Sequence, residues 1–324
     1  MVQTNFRPNS KALLNPCADP IFKTLFTDES KEAHEALTCF LCDILERKVT
    51  DVVLQPNELS GESITDKQSE FDINCKIDGK IANIEMQGEN HCNNYGKRAE
   101  YHVAHLLNHY TPKGTDWDKI PDVFQISVMN FVFDKTAKKS INHYVLRNEE
   151  GNVITKSLNV IFMELPKIAK LSDDVQKLTK AQMWGKFFLY AAIPEKNDFI
   201  QELINNNGGI KMAFTVLKNI SQDELNWYHE SRYWMHVSDE LTMKNAAIRE
   251  GKKEGMALGR KEGLEQGLKE GKEQGIKEGI KKGTEETKIE TAKKLLQMNL
   301  CTNEQIAQAT GLTLEQINKL SNKC

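Results

Sequence analysis

The sequence predicts an α/β fold: a mixed sheet laid down in the order helix, three strands, helix, strand, followed by an α-helical C-terminal region. Three observations carry this. An amphipathic segment of helical period precedes a set of short β-branched runs. Two of those runs are joined by Asp78-Gly79, the strongest two-residue hairpin signal. A second helical segment is then followed by an apolar strand beyond Pro121.

Taken in order, residues 1–20 carry Pro8, Pro16 and Pro20 and read as a lead-in segment. From Asp28 to Lys48, Leu37, Phe40, Leu41, Ile44 and Leu45 recur on one helical face, with Asp28 or Ser30 placed to cap the start. Strands follow at Val49 to Leu54, Phe71 to Ile77 and Ile81 to Gln87. A helix from Asn94 to Tyr110 stops before Pro112 and Gly114, and a strand runs from Val123 to Phe133. Strand signals at Ile141–Leu146 and Leu158–Leu165 extend the sheet. Ser172 to Lys244 is helical, anchored by Trp184, Phe187, Phe188, Trp227, Tyr233 and Trp234. The chain is therefore divided into an α/β domain at 1–170, a helical region at 171–245, a glycine-repeat arm or linker at 246–286 and a small helical segment at 287–324.

Composition narrows the function. Hydrophobic content of 39% is below the globular norm, but about half of the imbalance comes from one region near the C-terminus, so the first part still has a core to bury. A net charge of −3 argues against a broadly basic nucleic-acid surface and leaves room for a local basic groove. No apolar run reaches the roughly 18 residues of a membrane span, and the N-terminal segment lacks the apolar stretch of a signal peptide. Seven scattered cysteines are an odd number; Cys39 and Cys42, three apart on a helix, read as buried thiols. The expected compartment is the reducing cytoplasm.

The hairpin gathers acids. With Ile77 facing Lys80 across the turn, an unbroken ladder sets Asp72 opposite Glu85 and Glu70 opposite Gln87, all on one face. Phe71 with Met86 and Ile73 with Ile84 then form the packing face. Opposed carboxylates repel and lower stability. A divalent cation reverses the sign, and hard oxygen donors at this spacing suit Mg²⁺. Such an ion polarises a phosphoryl oxygen and activates water, as phosphodiester hydrolysis needs. A merely acidic, solvated sheet face is the structural alternative.

The element order and Asp72 … Glu85-Met86-Gln87 resemble the PD-(D/E)xK nuclease superfamily, whose core is restriction-endonuclease-like. More narrowly, the chain resembles the Rpn family of recombination-promoting nucleases and transposases. The residues that carry this are Asp19-Pro20-Ile21-Phe22-Lys23-Thr24-Leu25-Phe26, Lys67 ahead of Phe71-Asp72-Ile73, Ile84-Glu85-Met86-Gln87, Arg98 with Tyr101, and a late glycine repeat. The resemblance implies that Asp72, Glu85 and Gln87 are catalytic. It implies that Asp72, Glu85 and the Met86 backbone carbonyl hold the metal. The superfamily's lysine position is Gln87 here, as is usual in the narrower family; a neutral amide orients water or phosphate without supplying charge. Lys23, Lys67, Lys97 and Arg98 are accessory cations, and Arg98, Tyr101, His105 and Asn108 share one helix face. Asp43 or Glu46 is either an extra acid or a solvated carboxylate. His91, His102, His105 and His109 read as solvated or packed side chains rather than zinc ligands.

Glycine recurs every fourth residue from Gly251 to Gly283. In a helix each costs about 1 kcal/mol against alanine, so a strict period asks for close helix approach. We read a self-associating helical arm, with a polar linker as the alternative. Beyond it, Thr302-Asn303-Glu304-Gln305 and Thr313-Leu314-Glu315-Gln316 are capping signals on either side of Gly311, a helix-turn-helix-like pattern whose second helix has few bases. The expected function is a magnesium-dependent DNA endonuclease, linked to recombination or mobile elements, acting as a homo-oligomer on DNA without membrane association. The alternative is a catalytically inactive nuclease-fold interaction module held together by the arm.

Overall fold

Pro20 opens the first helix instead of closing a lead-in. Helix α1 (Asp19–Thr27) carries it in the first turn, where the missing N–H has no intrahelical partner to lose. Ile21, Phe22, Leu25 and Phe26 form its buried face. The sequence reading began the first helix at Asp28; instead α1 ends there and Ser30 caps a second helix, α2 (Lys31–Leu45), by accepting the Ala33 amide. The computed structural model describes residues 12–59, 69–88 and 94–322.

The strands follow as β1 (Val52–Gln55), β2 (Glu58–Leu59), β3 (Ser69–Glu70), β4 (Ile73–Ile77) and β5 (Lys80–Gln87). After helix α3 (Tyr95–His109) come β6 (Val123–Met129), β7 (Ile141–Val145) and β8 (Leu158–Glu164). The main sheet has the order β1-β4-β5-β6-β8-β7. Strands β5, β6 and β8 run parallel, while β1, β4 and β7 are antiparallel to their neighbours. The carboxyl ends of three parallel strands therefore lie side by side, the usual place for a site in a sheet of this kind.

At the hairpin, Asp78 and Gly79 both take positive φ, and the register runs from Ile77 opposite Lys80 to Ile73 opposite Ile84. Beyond Ile73 the expected alternation fails. Gln55 pairs with Asn74 and Glu58 with Glu70, so Pro56 and Asn57 face three residues, Phe71, Asp72 and Ile73. This is a one-residue bulge, and it flips the side chains before it. Phe71 packs with Val103 and Leu106 of α3, whereas Ile73, Ile84 and Met86 pack on the other side with α1 and α2. The expected Phe71–Met86 packing pair is thus not formed, and the ladder ends at Ile73–Ile84, so Asp72 and Glu85 are not the directly opposed pair that an unbroken register would give. Nor is the face that carries Glu85 and Gln87 a wet one, since both residues are buried.

Helices α4 (Leu165–Ala169), α5 (Lys180–Tyr190), α6 (Asn197–Asn206) and α7 (Gly208–Ile220) complete the first unit, Met1–Asp239. Phe22, Phe26, Phe40, Trp184 and Phe188 form an edge-to-face cluster at its centre. Helix α8 (Glu224–Met298) begins in this unit, where Trp227 Nε1 donates to the Ser221 carbonyl and Glu230 accepts the Asn15 amide.

The second unit, Glu240–Cys324, holds the rest of α8 with α9 (Asn303–Thr310) and α10 (Leu314–Ser321). The glycine repeat is helical throughout, and its residues are exposed. Both capping boxes form, at Thr302 with Gln305 and Thr313 with Gln316, and Gly311 ends α9 in the left-handed conformation. Ala292, Ile306, Leu312 and Ile317 are the small core they enclose.

Candidate functional site

The bulge determines what Asp72 does. A continued ladder would bond Phe71 to Met86 twice, because Ile73 and Ile84 form the preceding hydrogen-bonded rung. Instead the Phe71 amide donates to the Asn57 carbonyl, and the Met86 amide donates to Asp72 Oδ2 at 2.9 Å. The rung is replaced by a side chain, and the Met86 carbonyl is released from Phe71's amide. Asp72 is drawn toward α1, where it hydrogen-bonds Asp19.

Asp19 is the acid that sequence reasoning missed as a site residue. It was quoted only as part of a motif, because nothing local distinguishes a helix-opening Asp-Pro from a cap. Its carboxyl lies within hydrogen-bonding reach of the Asp72 carboxyl. Burial first, then the negative charges of Asp19 and Glu85, push the Asp72 carboxyl well above the ordinary aspartate range. Burial also raises Asp19, although the Asp72 hydrogen bond, Lys23 and Arg98 oppose the rise.

Glu85 behaves in the opposite way. It is buried, which alone would raise its carboxyl, but its partners more than offset this and hold it below the ordinary glutamate range. His102 Nδ1 donates to Oε1 at 2.9 Å, and Asn83 Nδ2 donates to the same oxygen at 3.1 Å. The Tyr95 hydroxyl lies 3.2 Å from Oε2 and 2.9 Å from Ser127 Oγ on β6. Burial and the Glu85 charge push the Tyr95 phenol far above its usual value, so it remains a donor. His102 is itself seated by the edge of Phe71 at 5.3 Å between ring centroids. Phe71 reaches it only because of the bulge. His102 and Tyr95 are thus two further residues of the candidate site, each holding Glu85 and each one that sequence reading left as an ordinary helix side chain.

The accessory residues separate. Lys23 acts on Asp19, and Arg98, exposed on α3, acts on Asp19 and Glu85. Tyr101 is exposed and stacks near His102 and His105. Gln87 is buried at the end of β5, with its carbonyl accepting the Asn130 amide. At the next residue, Gly88, a Cβ would lie 2.8 Å from the Tyr233 hydroxyl, so a larger residue there would displace that hydroxyl. Lys67 and His91 lie outside the described residues. Asp43 is not an extra acid here, since Trp184 Nε1 and Asn207 Nδ2 both donate to its Oδ2. Glu46 sits at the end of α2, lining a cleft with Lys80, the first residue of β5, rather than Glu85.

The Asp19 and Asp72 carboxyls beside the Met86 carbonyl are hard oxygen donors, the donor type that a divalent cation takes. Glu85 is turned toward His102 and Tyr95, and among the described residues no three His, Cys, Asp or Glu side chains converge as a metal cluster. No helix among them is long and apolar enough to cross a membrane.

A family model described as PD-(D/E)XK nuclease family transposase matches residues 16–247, which takes in every site residue named above. No curated protein and no solved structure matches the chain.

Proposed function

This chain belongs to the PD-(D/E)XK nuclease family of transposases, and from that premise we propose that it is a magnesium-dependent DNA endonuclease whose active site is Asp72, Glu85 and Gln87 completed by Asp19. The observation that supports this most is the grouping of Asp19, hydrogen-bonded to Asp72, with Asp72 anchored on the Met86 amide beside the buried Glu85. A fold built for stability alone gains nothing from three buried or half-buried carboxyls in mutual repulsion.

Asp72, the Met86 carbonyl and Asp19 are the groups that would hold the cation, and Glu85 would join them by turning from His102 and Tyr95. When bound, it supplies phosphoryl polarisation and a water of lowered pKa. The chain's own residues do the rest. His102, Asn83 and Tyr95 keep Glu85 ionised and fixed. Gln87 offers an amide to orient water or a phosphate oxygen. Arg98, exposed and charged, is placed to meet a phosphate near the acids. The glycine-repeat part of α8 is assigned to homo-oligomerisation, which would bring two active sites to one duplex.

A second reading has one observation in its favour. Both Glu85 oxygens are already engaged, as suits a fold module whose chemistry has been lost. Plasmid DNA incubated with the full-length protein, with and without Mg²⁺, separates the two. Mg²⁺-dependent nicking that Asp72→Asn abolishes supports the enzyme; intact plasmid under both conditions supports the interaction module.

A further inference from the structure

A cleft of about 890 Å³ opens at the far end of the sheet from the acids. Its wall includes Lys80, the first residue of β5, while Glu85 is five residues along the same strand. At roughly 3.3 Å per residue the two lie about 16 Å apart. The cleft is lined by Arg47, Lys80, Lys138, Lys139, Arg147 and Lys156. The carboxylates in the lining are Glu46 and Asp122, and Asp122 is already bound by Lys80.

Arg47 is the unusual member. Its Nε and Nη2 atoms are buried and have no hydrogen-bond partner. These two nitrogens share one edge of the guanidinium, the edge that grips a carboxylate or phosphate with two parallel bonds. Leaving such donors buried and unpaired is costly, and native proteins seldom do it without a use. The side chain is also held in place. Glu46 adopts a left-handed φ of 51°, the Arg47 amide returns to the Cys42 carbonyl, and the guanidinium lies over the Phe124 ring at 5.1 Å. A fixed, desolvated fork surrounded by flexible lysines is how a protein recognises a dense oxyanion.

We propose that this cleft is a second binding site, separate from the acids, for a phosphate ester gripped by the unpaired edge of Arg47. Its volume falls within the several hundred Å³ typical of small-ligand sites, enough for a nucleotide-sized group. The phosphate has two natural sources, a free nucleotide or a stretch of polynucleotide backbone. Either would supply both acceptors that the Arg47 edge lacks, and the lysines would neutralise the remaining charge.

The test uses full-length protein in EDTA, so that no cation at the acids takes part. Binding of thymidine monophosphate and of a short DNA duplex is measured for wild type, Arg47→Met, the exposed pair Lys138→Gln/Lys156→Gln, and Asp72→Asn. The expected result is mononucleotide binding weakened about tenfold or more by Arg47→Met, less by the lysine pair, and unchanged by Asp72→Asn. If both cleft variants weaken only duplex binding, and flatten its salt dependence, the site holds and its source is polynucleotide backbone. The proposal is overturned if wild type binds neither probe, if both cleft variants bind as wild type, or if Asp72→Asn removes mononucleotide binding. Should Arg47→Met fail to fold, unchanged binding by the lysine pair is sufficient to overturn it. None of these outcomes depends on cleavage, so the endonuclease reading stands or falls separately.

Discussion

Asp72 Oδ2 accepts the Met86 amide at 2.9 Å, in the place where a backbone rung from Phe71 would otherwise close the ladder. One bulge thereby aims a carboxylate at Asp19, releases the Met86 carbonyl and carries Phe71 across the sheet to His102. The placement of Asp72 and Phe71 follows from that one extra residue.

Asp72→Asn is expected to abolish Mg²⁺-dependent plasmid cleavage while stabilising the metal-free protein at neutral pH. An amide can still accept from Met86 and can donate to Asp19 without a shared proton. The folded state holds that proton more tightly than the unfolded chain, so wild-type stability falls as pH rises through the raised Asp72 value. The variant should lack that fall and gain on the order of 1 kcal/mol above it. Thermal melts in EDTA across pH, repeated with Mg²⁺, check this. Equal protection of both proteins by Mg²⁺ would sink the idea.

Asp19→Asn should reduce cleavage as severely as Asp72→Asn, although α1 is remote in sequence from the hairpin. The two changes relieve the same repulsion, so the double variant should be little more stable than either single one. Additive gains in a double-mutant cycle of melting free energies would show that the carboxyls do not share a proton. Full activity in Asp19→Asn would remove it from the site.

His102→Leu tests what holds Glu85. In the wild type the Glu85 carboxyl lies below its ordinary value, so it contributes stability above the unfolded value that is lost as pH falls through the folded one. Without His102, burial dominates and the sign reverses: stability should now decline as pH rises. At neutral pH the loss should be about 3 kcal/mol, the usual cost of stranding a buried charge. Denaturant midpoints at mildly acidic and neutral pH measure it. An unchanged pH slope would mean that His102 only packs.

Much of this was legible in the sequence, and the misses share a cause. The hairpin register was fixed locally by Asp78-Gly79, helix α3 was bounded by Pro112 and Gly114, and β6 and β8 stood out as apolar runs. Asp72 and Glu85 could be singled out because the turn lies only a few residues away. The bulge could not, because it depends on how Pro56 and Asn57 meet Phe71 across a long intervening segment. Asp19, His102 and Arg47 gain their meaning only from tertiary neighbours, and no spacing rule connects them to the acids or the cleft. Helix α1 was hidden by Pro20, whose placement in a first turn looks from sequence alone like a break.

The last prediction concerns the glycines of α8. At each of the nine positions from Gly251 to Gly283, a Cβ would meet nothing within 4 Å in this chain. Alanine there should therefore stabilise an isolated helix by about 1 kcal/mol per site. If the repeat serves close approach by a second copy, the same methyl groups would instead hold the backbones apart. Gly259→Ala with Gly267→Ala should thus raise helicity and lower oligomeric mass together. Removing residues from Gly251 onward should lower the mass while leaving the first unit folded. Light scattering and circular dichroism on the three proteins decide the matter. The same number of subunits per particle for all three, with helicity rising in the alanine variant, would show that the arm is a solitary helix and that the glycines serve no self-association.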